Sequence, residues 1–240
     1  MLLHLHIPRT GGKSVVKWFR QLLSLRDAVY SFKNYQAFWD AFLGRGERHY
    51  DFEKIKLITG HFYYGIDEYF IPSAEYVVVL RDPVERVKSL IRYIRKNSTH
   101  RLHELFSKAS NINYIYRNIH HSPQMSNGQV RQLCSYDLTG LIRLRSHHAE
   151  TAMNRVIADN VHVFTTDDLD RVFSPSEEKS RMSGISHENG AEQDELCSWL
   201  NSETSDAIIR ENNELDMRLY DFAKKNRCTD ASTLLRYLVE

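Results

Sequence analysis

The chain has 240 residues, 42% of them hydrophobic and 26% charged, which is ordinary globular composition and length enough for one domain with a full core. Its 32 Lys plus Arg stand against 31 Asp plus Glu, a net charge of +1, so no global field draws it to nucleic acid or an anionic membrane and any anion site must be local. Three cysteines, Cys134, Cys197 and Cys228, form no C-x-x-C pair and read as reduced buried thiols, not as a zinc knuckle or a disulfide framework.

No run approaches the roughly 18 to 20 apolar residues of a membrane span. The opening "MLLHLHIP" has no basic n-region followed by an apolar h-region, so a soluble cytoplasmic protein is expected. In chain order, Leu2 to Ile7 reads as a buried strand, ended by Pro8, Gly11 and Gly12 in a tight loop. Val15, Phe19, Leu22 and Leu23 then recur at helical spacing, which predicts a helix from about Lys13. "KLITGHF" and "YVVVLR" are the next strand candidates, and the unbroken β-branched run of the latter suits a central parallel strand covered on both faces.

Asp82-Pro83-Val84-Glu85 opens a second helix, with Asp82 as N-cap, Pro83 at its first position, and an apolar face of Val84, Val87, Ile91 and Ile94. Residues 100 to 160 read as mainly helical, "VHVFTT" at 161 to 166 as a fourth strand, and the polar stretch 174 to 195 as a mobile surface loop. One last long helix is expected to bury Ile208, Leu215, Leu219 and Phe222. Strands alternating with helices imply an α/β fold: a P-loop-like three-layer sandwich with a central parallel sheet flanked by helices. No repeat or low-complexity linker divides the chain, so residues 1–240 are expected to form a single domain.

"HIPRTGGKS", residues 6 to 14, has the composition of a loop that holds phosphate, the alternative being a plain turn. Amides of a glycine loop at a helix N-terminus, with the helix dipole, favour phosphate, and Arg9, Lys13 and Ser14 add charge and a hydroxyl. "GKS" matches the end of the Walker A pattern G-x-x-x-x-G-K-[ST], whose first glycine is here Ile7. Arg81 ends the third strand, where ligands gather in open α/β sheets. Ser89 lies near two helical turns beyond the Asp82 cap and so faces the side of that helix's N-terminus. Such an Arg and Ser can grip a second phosphate. The alternative is that Arg81 pairs with Asp82 or Glu85 and that Ser89 is a solvated helix residue.

Together these segments resemble the sulfotransferase superfamily that uses 3′-phosphoadenosine 5′-phosphosulfate (PAPS), most closely the carbohydrate sulfotransferases of heparan-sulfate 2-O type, whose N-terminal motif reads like "HIPKTGGTS". Arg81, Asp82, Pro83, Arg86 and Ser89 follow that family's "RDP-x-x-R-x-x-S" pattern, "ITGHFYYG" at 58 to 65 is similar to its "GHF" segment, and "ENNELDMRLYDFAK" at 211 to 224 to its C-terminal helix. The resemblance implies that Arg9, Thr10, Gly11, Gly12, Lys13 and Ser14 hold the 5′-phosphosulfate and that Arg81 and Ser89 bind the 3′-phosphate. It also implies in-line attack of an acceptor hydroxyl on sulfur, with release of 3′-phosphoadenosine 5′-phosphate (PAP), and no metal. The acceptor is expected to be a glycan or small molecule, with no nucleic-acid partner.

His61 is the candidate general base, since an imidazole titrates near working pH and Gly60 leaves room beside it; the alternative is a loop histidine. Arg9 and Lys13 are the candidate cations for the leaving group. The family carries Lys at the position of Arg9 and Thr or Ser at that of Lys13, and the sequence leaves open which of the two serves the bridging oxygen. Among the other histidines, His4 and His6 imitate an H-x-H metal pair with no third ligand, so core or loop roles are expected; His147 and His148 read as surface residues pointing apart. "NGQVRQLC" at 127 to 134 resembles a segment that borders the acceptor cleft in that family, which makes Arg131 a candidate contact there. Two other functions remain: an ATP-dependent small-molecule kinase, and a non-catalytic module binding a nucleotide or sulfated glycan.

Overall fold

A computed structural model describes residues 1–22, 29–32, 40, 45, 55–69, 74–118, 122–134, 143–169, 195–227 and 234. Five strands, β1 (Leu2–Leu5), β2 (Val29–Phe32), β3 (Leu57–Gly60), β4 (Glu75–Leu80) and β5 (Val161–Thr165), form one all-parallel sheet in the order β2-β3-β1-β4-β5. The helices are α1 (Gly12–Leu22), α2 (Pro83–Lys96), α3 (His103–Ser107), α4 (Ile112–Arg117), α5 (Gly128–Cys134), α6 (Ser146–Val156), α7 (Glu203–Asn212) and α8 (Glu214–Asn226). The expected α/β architecture with a parallel sheet flanked by helices is therefore present. Among the described residues no helix is long and apolar enough to cross a membrane.

Both faces of the sheet are covered, which is why its inner strands carry continuous apolar runs. Val15, Trp18 and Phe19 of α1 pack on Leu2, Leu57, Val77, Val79 and Phe164. On the opposite face Leu3, Leu5, Ile58, Val78 and Leu80 meet Val130 and Leu133 of α5, Ala149 and Ala152 of α6, and Leu215 and Leu219 of α8. A third apolar cluster joins α2, α3, α4 and α7 through Val87, Ile91, Phe106, Ile112 and Ile209. Register brings the site together. Leu5 of β1 lies opposite both Gly60 of β3 and Val78 of β4, so the chain leaves these three neighbouring strands at one edge.

Two secondary-structure elements depart from the sequence reading. The edge strand β2, Val-Tyr-Ser-Phe, is not anticipated, because it lacks the longer apolar run that marks the other strands. The expected last long helix is two helices, α7 and α8, broken at Asn213. This fully buried side chain donates through Nδ2 to the carbonyls of Ile209 (2.9 Å) and Met125 (3.0 Å), and its Oδ1 accepts from the amide of Asn127 at 2.9 Å. Ile208 and Phe222 are only partly buried, and Ile209 occupies the core instead. The stretch 174 to 194 lies outside the described residues.

Cys134 is the buried thiol expected of it: its Sγ donates to the His148 carbonyl at 2.8 Å, and burial pushes its pKa up to about 11. His147 and His148 do not point apart, their ring centroids lying 3.9 Å from each other. The cause is local, because His148 Nδ1 accepts the Arg145 amide at 2.9 Å and so turns back over the helix start.

A buried polar junction fastens the C-terminal helix to this frame. Asp216 of α8 accepts the amides of Gln129 (3.1 Å) and Val130 (2.8 Å) at the start of α5 and lies 3.5 Å from Arg86, both charged side chains being fully buried. Removing one partner of such a pair leaves an uncompensated charge in the core. Asp216→Ala is expected to cost about 3 kcal/mol or more, read from urea unfolding midpoints, and Asp216→Asn less, because it keeps an acceptor. A loss under about 1 kcal/mol for the alanine variant would show that Arg86 finds another partner.

Candidate functional site

The loop after β1 is shaped by three backbone features. Arg9 has φ 71° and Gly11 φ 84°, so both lie in the left-handed region that glycine alone enters without strain. A Cβ on Gly12 would stand 1.9 Å from the His6 imidazole, so only glycine lets the loop lie over that ring. The Gly11 carbonyl accepts from Ser14 (2.9 Å) and Val15 (3.2 Å). The amides of Gly12 and Lys13 are left at the open start of α1, where the helix dipole favours an anion. Lys13 is exposed and Ser14 partly so. Thr10 is turned inward: its side chain is buried and its hydroxyl donates to the Ile7 carbonyl at 2.9 Å.

The second segment meets the first. Asp82 caps α2 by accepting from Val84 (2.9 Å) and Glu85 (3.0 Å), with Pro83 at the first position. Ser89 is buried on α2, and its Oγ accepts from Arg9 Nε at 3.0 Å. Arg81 donates through Nη1 to the Arg9 carbonyl at 3.2 Å. The carboxylate beside Arg81 is that of Glu85, loosely held at 3.9 Å and half exposed, whereas Asp82 is engaged as the cap. Arg9, Arg81 and Ser89 thus converge at the carboxyl ends of neighbouring strands. Burial, and after it repulsion from Arg81, pushes the guanidinium pKa of Arg9 down, while burial lowers that of Arg81 against the opposing pull of Glu85 and Asp82; a bound anion would relieve both.

His61 follows β3, and its Nδ1 lies 2.6 Å from the His6 carbonyl oxygen. A carbonyl only accepts, so Nδ1 carries the proton and the lone pair sits on Nε2. Burial pushes the His61 pKa below its ordinary 6.5, keeping it neutral through physiological pH. Its ring stacks on His6 at 4.4 Å, and His6 in turn stacks on His4 at 5.4 Å. His4 is buried in β1 with Nδ1 2.7 Å from Thr59 Oγ1, and burial pushes its pKa down to about 3. The H-x-H pair therefore serves the core and the floor of the loop. Among the described residues no group of three or more His, Cys, Asp or Glu is placed to hold a metal ion.

Sequence reasoning missed the residues that hold these segments still. Gln129 of α5 accepts the Arg81 amide and donates to the Arg81 carbonyl, both at 2.9 Å, and so clamps the end of β4 from both sides. Gln132 donates to the carbonyls of Phe62 (3.0 Å) and His6 (3.3 Å), the second being the oxygen that orients His61. Their signal is faint: two glutamines three apart face one side of a helix, but nothing local shows that strand ends lie opposite. Arg131, between them, is buried, with its positive charge near Tyr63. No protein-family model matches this chain, and no curated protein matches it.

Proposed function

We propose that the chain is a PAPS-dependent sulfotransferase, moving the sulfuryl group to an acceptor hydroxyl and releasing PAP, with a carbohydrate as the acceptor class that the sequence resemblance favours. One observation carries this reading. Two cation-bearing segments, the glycine loop and the Arg81–Ser89 segment, meet through the Arg9–Ser89 hydrogen bond of 3.0 Å, and at the end of the neighbouring strand β3 the His6 carbonyl fixes the His61 tautomer that leaves the lone pair on Nε2. Two anion sites with a neutral base suit a donor that carries separate 5′ and 3′ phosphates better than a nucleoside triphosphate.

In this chemistry His61 Nε2 takes the proton of the acceptor hydroxyl as that oxygen bonds to sulfur. The sulfur–oxygen bond to the 5′-phosphate breaks, and its electron pair stays on the phosphate. The open amides of Gly12 and Lys13, with the Lys13 ammonium and the dipole of α1, stabilise that charge. His6 holds His61 through its carbonyl and its ring, so the base is oriented before substrate arrives.

The test is thermal unfolding with PAP, with ATP and magnesium, and with ADP. PAP at about 100 times its dissociation constant is expected to add about 2.7 kcal/mol of stability, and ATP far less. Equal stabilisation by ATP, or dependence on magnesium, would overturn this reading in favour of a kinase.

A further inference from the structure

We propose that Arg9, although it belongs to the glycine loop, serves the second anion site and recognises the 3′-phosphate, leaving Lys13 as the cation of the first. The inference rests on the sulfotransferase reading and divides its cations between two jobs. Three observations carry it. The left-handed backbone at Arg9, φ 71°, is uncommon for a residue with a Cβ and is held only where surrounding contacts over-determine it. Here those contacts lie on α2: Arg9 Nε donates to Ser89 Oγ at 3.0 Å, and its guanidinium carbon lies 5.0 Å from the centre of the Tyr93 ring, one turn beyond Ser89. Arg81 then closes from the other side, donating to the Arg9 carbonyl at 3.2 Å.

Two guanidinium groups and a hydroxyl are thereby gathered over the start of α2. A planar fork engages two oxygens of a phosphate while its Nε keeps the hydroxyl in place. Lys13 has a different address. It stands exposed in the first turn of α1, beside the open amides of the loop, and makes no ion pair among the described residues. A compact ammonium there suits the single oxygen on which charge develops.

The experiment measures binding of PAP and of adenosine 5′-phosphate, which lacks the 3′-phosphate, by calorimetry. Arg9→Gly removes the side chain yet accepts φ 71° without strain, so the loop is kept. It is expected to weaken PAP roughly tenfold to a hundredfold while leaving adenosine 5′-phosphate within about threefold. Lys13→Ala is expected to weaken both ligands alike. Arg9→Gly combined with Ser89→Ala should weaken PAP less than the product of the single effects, because the two side chains share one contact. Equal loss of both ligands in Arg9→Gly would overturn the inference and return Arg9 to the first loop. Failure of the folded parent to bind PAP would overturn the sulfotransferase reading itself, and the division of roles with it.

Discussion

Replacing His61 with alanine is expected to lower sulfuryl transfer by about 10²- to 10⁴-fold, the span typical of a positioned general base, while PAP still stabilises the protein. The separation follows from geometry. His61 bonds through Nδ1 to the His6 carbonyl at 2.6 Å and lies outside the Arg9, Arg81 and Ser89 contacts, so its loss leaves the anion sites intact. His61→Asn should be nearly as inactive, since an amide donates a hydrogen bond but takes up no proton. The pH profile adds a sign. Because burial lowers the His61 pKa, the parent should be flat through neutrality and lose activity only below pH 6.5, and the variants should lack that limb. An acceptor found by screening glycans and phenols with labelled PAPS supplies the assay. Transfer by His61→Ala within about threefold of the parent would place the base elsewhere.

Stability should fall steeply on acidification. His4 is held neutral down to a pKa of about 3, and burial pushes His6 the same way, against an ordinary 6.5. Below pH 6.5 the unfolded chain binds protons that the folded one refuses, so stability falls as pH falls, by up to about 1.4 kcal/mol per pH unit for each histidine. At pH 4.5 His4 alone accounts for about 3 kcal/mol, and His6 adds in the same direction, against a total of about 5 to 15 kcal/mol typical of a domain. Urea midpoints at pH 7 and pH 4.5 measure this. His4→Leu strands the Thr59 hydroxyl and should be weaker at neutral pH, yet its stability should vary less with pH by about 1.4 kcal/mol per unit. An unchanged slope in that variant would show that His4 is not the group that resists protonation.

How much of this could be read without the structure depends on the distance over which each signal is written. The run Val77 to Leu80, the Asp82–Pro83 cap and the glycines of the first loop announce themselves within a few residues, because β-branching, capping and backbone freedom are local properties. Four of the five strands were legible for that reason, whereas the nearness of Arg81 and Ser89 was one of two readings that the sequence left open. Gln129, Gln132, Asn213 and Asp216 were not. Their partners lie far away in sequence, and a buried polar residue looks like a surface one until its partner is known. The direction of Arg9 was equally hidden, since composition fixes its charge but not the left-handed backbone that turns it toward α2.

The pairing of Arg86 with Asp216 sets an order of events during synthesis. Residues 6 to 89, which carry the candidate base and every residue proposed to hold the two phosphates, emerge from the ribosome first. The amides of α5 that Asp216 holds, and through α5 the two glutamines at the strand ends, await a helix 130 positions downstream of Arg86. At about 5 to 20 residues per second that wait is on the order of ten seconds, during which Arg86 has no carboxylate from α8. A nascent chain arrested before residue 216 should therefore be protease-sensitive around residues 127 to 134, and the same chain released at full length should not.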